Sequence, residues 1–261
     1  MTPRPADVEL AGRLVREAGS LARRMRDDGL SAEQKTSISD VVTAADHAAE
    51  RLVVETLAAE RPDDGVLGEE GAAHDGTSGR TWVIDPVDGT YNFVAGLDWW
   101  CSAIALLDGE DLVLGAVHHP ASGQTLVGGP GLPTTVDGRP VGPMADRPLA
   151  DACLTTYLHP PSYAGEVGAA FDRMVGGAAT LRMLGSASMD GSAVARGQLH
   201  VRCQHSLPPW DELPSAALIL GAGGAARRIE AAGVTWYAAG APTAVAEIAE
   251  ALTGGTAQTT A

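Results

Sequence analysis

The segment Trp82-Val83-Ile84-Asp85-Pro86-Val87-Asp88-Gly89-Thr90-Tyr91-Asn92-Phe93 constrains this chain most, because an apolar strand-like run ends in two carboxylates, a glycine and a hydroxyl. Asp85 and Asp88 are acceptor-only groups, and like charges about 4 Å apart repel by roughly 1 kcal/mol in water and several-fold more in a shielded cleft. Such anions share a small volume when a cation lies between them, and hard oxygen ligands favour Mg²⁺ over zinc. Pro86 fixes the backbone between the two acids, and Gly89 removes a side chain from a sharp turn. Thr90 is placed to open a helix whose free N–H groups face an anion. By itself the same run also describes a strand that closes in an Asx turn, so its meaning depends on the rest of the chain.

The surrounding pattern is that of a mixed α and β protein. Leu10, Leu14, Val15, Ala18, Leu21, Ala22 and Met25 form one apolar stripe and predict a helix over residues 6–27. Residues 31–42 read as polar and irregular, after which Thr43 is the expected N-cap of a helix that carries Asp46 and stops at Pro62. Val66-Leu67-Gly68-Glu69-Glu70 is a short strand ending in acids, so acidic side chains appear at two strand ends. Residues 102–128 alternate apolar runs with turns at Asp108-Gly109 and Ala121-Ser122-Gly123, as in an antiparallel meander. Glycine and proline are dense from Gly129 to Pro148, which divides an α+β half, residues 1–140, from an α/β half, residues 141–261. In the second half, helices are expected over residues 186–195, 213–220 and 242–252, with a strand over 199–203.

Composition narrows the partners. A net charge of −15 opposes binding to nucleic acid or an anionic membrane surface. Cys101, Cys153 and Cys203 are widely spaced and lack a C-x-x-C pairing, which indicates reduced thiols in a cytoplasmic protein. The N-terminus has no apolar signal core, and no run of about 18 apolar residues occurs. Adjacent His118 and His119 face opposite sides of a strand and cannot chelate one ion, and His47, His200 and His205 read as surface or satisfied core residues. Trp99 and Trp100 are candidates for the mouth of a site.

Three motifs in order change the odds for the opening segment: Gly68-Glu69-Glu70, the Asp85 to Thr90 run, and Trp210-Asp211 separated by eleven residues from Gly223-Gly224. Together with Lys35, the Asp40-Val41-Val42-Thr43-Ala44-Ala45-Asp46 element and Gly185-Ser186-Ala187, they resemble the inositol monophosphatase family of Mg²⁺-dependent, lithium-sensitive phosphatases over nearly the whole chain. The resemblance implies an αβαβα layered sandwich of the inositol monophosphatase and fructose-1,6-bisphosphatase type, a homodimer, and two or three Mg²⁺ ions per site. It assigns Glu69, Asp85 and the Val87 carbonyl to one ion, and Asp85, Asp88 and Asp211 to a second. Thr90 with Asp46 orients and deprotonates the attacking water, with Glu69 also in the catalytic set, and the N–H groups of Gly89 and Thr90 hold the phosphate. Asp88, Gly185, Ser186, Ala187 and Gln204 fall on the substrate, while Lys35 and Glu70 stand behind the ligands and Asp40 makes a local turn or cap.

The substrate side departs from the family pattern. Seven residues before Asp211 the family usually has a glutamate that accepts bonds from substrate hydroxyls, and here the residue is Gln204. Glu212-Leu213-Pro214 follows Asp211, with the proline tolerable in a first helical turn. Inositol 1-phosphate or a related polyol phosphate is the first expectation, with histidinol phosphate the alternative. Fructose 1,6-bisphosphate and 3′-phosphoadenosine 5′-phosphate rank lower, since only Arg196 and Arg202 stand between Leu184 and Trp210 to meet a second phosphate. A non-catalytic metal-binding role is the remaining class, and the intact acidic set weighs against it.

Overall fold

The computed structural model describes residues 3–29, 32–34 and 41–255, and Lys35 and Asp40 lie outside these described residues. The first half runs α1 (Pro5–Asp27), β1 (Ala32–Gln34), β2 (Val41–Thr43), α2 (Ala44–Glu60), β3 (Gly65–Gly68), β4 (Ala73–His74), β5 (Arg80–Asp88), α3 (Thr90–Val94), β6 (Cys101–Asp108), β7 (Asp111–His119), β8 (Gln124–Gly129), β9 (Leu132–Val136) and β10 (Arg139–Pro140). The second runs β11 (Cys153–Thr155), α4 (Gly165–Gly176), β12 (Thr180–Arg182), α5 (Ala187–Ala195), β13 (Val201–His205), α6 (Pro209–Gly221), β14 (Ala225–Ala231), β15 (Val234–Gly240) and α7 (Pro242–Thr253). Among the described residues, an eight-stranded sheet has the order β10-β9-β8-β7-β6-β5-β3-β4 and a five-stranded sheet the order β12-β11-β13-β15-β14. No helix among them is long and apolar enough to cross a membrane.

Three apolar cores stack these elements into an αβαβα sandwich. Leu10, Leu14 and Ala18 of α1, with Val53 and Leu57 of α2, cover one face of the large sheet at Trp82, Ile84, Ile104 and Leu106. Its other face, Cys101, Ala103, Val117 and Leu126, meets α5 and α6 through Met189, Val194, Ala216 and Ile219, and these helices also pack on Tyr237 and Ala239 of the small sheet. Met174 of α4 and Val245 and Ile248 of α7 close the far side. Because the central strands are covered on both faces, β5 and β6 are buried almost throughout.

Local chemistry explains the elements that carry acids. Thr43 Oγ1 accepts from the N–H groups of Ala45 and Asp46 while Asp46 accepts from the Thr43 N–H, a capping box of the kind that contributes about 1 kcal/mol. The buried Trp82 indole donates to Asp64 at 2.9 Å, and buried Asp7 accepts from Arg61 and Arg80, fastening the start of α1 to the start of β5.

Several elements differ from the sequence expectation. Residues 32–34 pair with 41–43 as a short antiparallel ribbon where an irregular stretch is expected, since three-residue strands carry no readable alternation. Helix α6 begins at Pro209, so Asp211 lies in its first turn, and Pro214 sits one turn deeper than its chemistry predicts. Helix α4 and the β14–β15 hairpin are legible only in the structure. The first is rich in glycine, and the hairpin turns on Ala232 and Gly233, whose φ values of 55° and 75° suit a tight primed turn but whose alanine gives no sequence signal.

Candidate active site

The acids at the end of β5 owe their aim to a break in the strand. Asp85 pairs with Ala103 and Asp88 with Cys101, so one extra residue is accommodated between the two carboxylates. Gly89 follows at φ 95°, and a Cβ there would lie 3.0 Å from Ser186 Cβ and 3.1 Å from the Trp99 carbonyl. Gly89→Ala is therefore expected to cost about 1–3 kcal/mol through the left-handed backbone alone and to raise KM for the phosphate ester, checked by thermal melting and steady-state rates.

Asp85, Asp88 and Asp211 each present a carboxylate oxygen within 4.8 Å of the others. Asp85 is fully buried and its Oδ1 has no hydrogen-bond partner. Burial, followed by the charges of Glu69, Asp88 and Asp211, pushes its carboxyl well above the usual range. Burial and then the Asp88 charge lift Asp211 to about 7. Asp88 is also raised by burial, although the Ser188 N–H and the Arg202 guanidinium oppose the shift, and it accepts from the Ala187 N–H as well. The orphaned oxygen and mutually raised acids are what a carboxylate set shows when its balancing cation is left out, so the donor set fits a hard divalent metal.

Beside this cluster, Thr90 Oγ1 donates to Asp46 Oδ1 at 3.1 Å and lies 3.0 Å from the Val87 carbonyl. Burial pushes Asp46 up to about 6 against its bond from the Thr43 hydroxyl. Glu70 Oε2 is 3.9 Å from His47 Nδ1. Buried Glu50, which sequence reasoning passes over, accepts from the N–H groups of Glu70 and Ala72 and so braces the loop that carries Glu69.

A cavity of about 510 Å³ collects most of the sequence candidates, whereas Asp46 and Glu70 are not among its lining residues. Glu69, Asp85, Val87, Asp88, Gly89, Thr90 and Asp211 line one part, and Gly185, Ser186, Ala187 and Gln204 another. Tyr157, His159 and His205 line it as well, so His205 is a wall of the cavity and not merely a surface or core residue. Three helices begin around this space: α3 at Gly89, α5 at Ser186 and α6 at Pro208. Asn92 holds two of them together by donating to the carbonyls of Trp99 and Leu184. Trp99 and Trp100 are not at the mouth: Trp100 is buried against Phe93, and the Trp99 indole donates to Asp190.

Two buried charges complete the frame. Asp190, raised to about 6 by burial, accepts from Trp99 and from Thr155 Oγ1. Arg202 donates to the carbonyls of Ala187 and Asp211 and to Ser215 Oγ, which fixes the starts of α5 and α6 from behind. It does not reach the cavity as a cation for a second phosphate, and Arg196 is engaged with Gln124. Nothing local in the sequence marks Arg202 as buried, because a charged residue between Val201 and Cys203 reads as the outward face of a strand.

Comparison with known proteins identifies the family and the fold. The chain is 30% identical over 212 residues to a fructose-1,6-bisphosphatase/inositol-1-monophosphatase of Thermotoga maritima, covering 81% of this chain and 80% of that protein. It is 32% identical over 231 residues to a histidinol-phosphatase of Chlorobaculum parvum, covering 86% and 85%. The solved Thermotoga maritima IMPase superposes with a TM-score of 0.83 at 26% identity, over 95% of this chain and 97% of that one. The model of the inositol monophosphatase family matches residues 7–260, and the chain belongs to that family of phosphatases.

Proposed function

We propose that the protein hydrolyses a small phosphate monoester in a Mg²⁺-dependent reaction, with inositol 1-phosphate or a related polyol phosphate as substrate. The observation that carries this reading is the convergence of Asp85, Asp88 and Asp211 beside the start of α3 in one cavity. Glu69, Asp85 and the Val87 carbonyl would hold one ion and Asp85, Asp88 and Asp211 a second, within a complement of two or three. When bound, Mg²⁺ supplies Lewis-acid activation of water and neutralises charge on the phosphate. Thr90 and Asp46, already hydrogen-bonded, orient the attacking water and take its proton. The N–H groups of Gly89 and Thr90 bind the phosphate oxygens at the head of α3.

The alcohol side favours a neutral partner. Gln204 offers an amide in place of a carboxylate, so this position adds no charge to attract an ammonium group. With Arg196 and Arg202 engaged elsewhere, bisphosphates rank lower. Histidinol phosphate is the second reading, favoured by the rings of Tyr157, His159 and His205 on the cavity wall. Residues 1–140 would supply most metal ligands, and 141–261 Asp211 and the alcohol contacts. A cytoplasmic homodimer is the proposed working form, consistent with three free cysteines.

The test is phosphate release from inositol 1-phosphate, histidinol phosphate, glycerol phosphates and the two bisphosphates, with Mg²⁺ and with or without lithium. Release from none of them would overturn the enzyme reading. Gln204→Glu is expected to change relative kcat/KM across that panel by about tenfold, with the Mg²⁺ requirement little altered. An unchanged profile would remove Gln204 from substrate recognition.

A further inference from the structure

We infer that Ser102 is a positioning residue for the acidic cluster: its hydroxyl locks the strand irregularity that aims Asp85, the Val87 carbonyl and Asp88. The inference rests on reading that cluster as a metal site. The β5–β6 ladder runs in step from Arg80 opposite Asp108 to Asp85 opposite Ala103, and resumes at Asp88 opposite Cys101. Pro86 and Val87 therefore share a single opposing residue, Ser102. Such a place leaves backbone groups without ladder partners, and Pro86 has no N–H to offer.

The Pro86 carbonyl is satisfied by a side chain, because Ser102 Oγ donates to it at 2.6 Å from a position only 1% exposed. The next carbonyl, that of Val87, lies 3.0 Å from Thr90 Oγ1, whose one proton it shares with Asp46 Oδ1, and Val87 lines the cavity. Two hydroxyls, one from β6 and one from α3, thus pin successive carbonyls. Holding the first on Ser102 restricts rotation of the peptide that joins them, and with it the direction of the second.

The serine is itself confined. A Cβ at Gly19 would lie 3.2 Å from Ser102 Oγ, 3.0 Å from His118 Cδ2 and 2.9 Å from Pro120 Cγ, so α1 packs directly behind the hydroxyl. His118, paired with Ser102 across β6 and β7, has its Nδ1 on Thr125 Oγ1 at 3.0 Å and does not compete for the proton. A buried hydroxyl confined on one side, with a single acceptor ahead of it, is suited to fix geometry.

The experiment titrates Mg²⁺ into the metal-stripped full chain and follows both melting temperature and phosphate release. Ser102→Ala is expected to raise the Mg²⁺ concentration for half-maximal stabilisation and half-maximal rate about tenfold, while KM for the ester at saturating Mg²⁺ stays within about twofold. Ser102→Cys, nearly the same size but a weak donor, is expected to fall between the two, and decides the matter should the alanine variant not fold. Variants with the wild-type Mg²⁺ dependence and only a lower metal-free melting temperature would overturn the inference, leaving an ordinary buried hydrogen bond. A wild-type protein that neither gains stability from Mg²⁺ nor needs it for turnover would instead overturn the metal-site reading itself.

Discussion

Asp85→Asn is expected to lose at least about 10²-fold in phosphate release while remaining folded, and to melt higher than the wild type when metal is withheld. Asp85 is buried with one oxygen unpartnered, and Glu69, Asp88 and Asp211 all disfavour its charge. Asparagine keeps the shape and removes that repulsion, which stabilises the metal-free chain. The same change removes the carboxylate proposed to serve both ions, and even groups one step removed from a metal typically matter by 10–100-fold. Rates and melting curves with and without Mg²⁺ check the two halves separately. Near-normal turnover in the variant would take Asp85 out of the proposed role.

The second large effect is the reversal of pH dependence by metal. Asp46 and Asp190 are raised to about 6 and Asp211 to about 7, so the folded chain holds protons that the unfolded chain has released above pH 4. Stability falls with pH wherever the native state binds more protons, so these groups stabilise fully below about pH 4 and lose that contribution as pH rises through 6 to 7. The melting temperature of the metal-free protein is expected to decline from pH 5 to pH 7.5. Mg²⁺ at about 100-fold over its dissociation constant adds about 2.7 kcal/mol, or roughly 5–10 °C for a chain of this size. The gain is expected to be larger at pH 7.5, where the ligands are free of protons. Calorimetry at both pH values with and without Mg²⁺ decides it, and an Mg²⁺ gain equal at pH 5 and 7.5 would contradict the assignment.

Much of the site was legible because its residues sit at element ends that announce themselves. Asp85 closes an apolar run, Thr43 has the chemistry of a cap, and Asp211 stands at the start of a helix. The layered fold followed from the family resemblance. What escaped depends on contacts distant in sequence. Asp190 looks like any acid in a helix until Trp99 and Thr155 meet it, and Arg202 looks like a free cation until three acceptors surround it. Glu50 is indistinguishable from a surface helix residue until the loop after β3 folds onto it. The alcohol side is least legible because Tyr157, His159 and His205 arrive from two separate strand ends, and no local pattern connects them.

The three helix starts gathered at the cavity have a consequence for encounter. A chain of net charge −15 repels a phosphate dianion at a distance, whereas the partial positive ends of α3, α5 and α6 act only within the first turn of each helix. Attraction therefore begins only once the ester has crossed an unfavourable outer field. Salt at physiological strength screens that field over about 8 Å and leaves the sheltered inner contacts largely intact, so moderate ionic strength speeds arrival instead of slowing it.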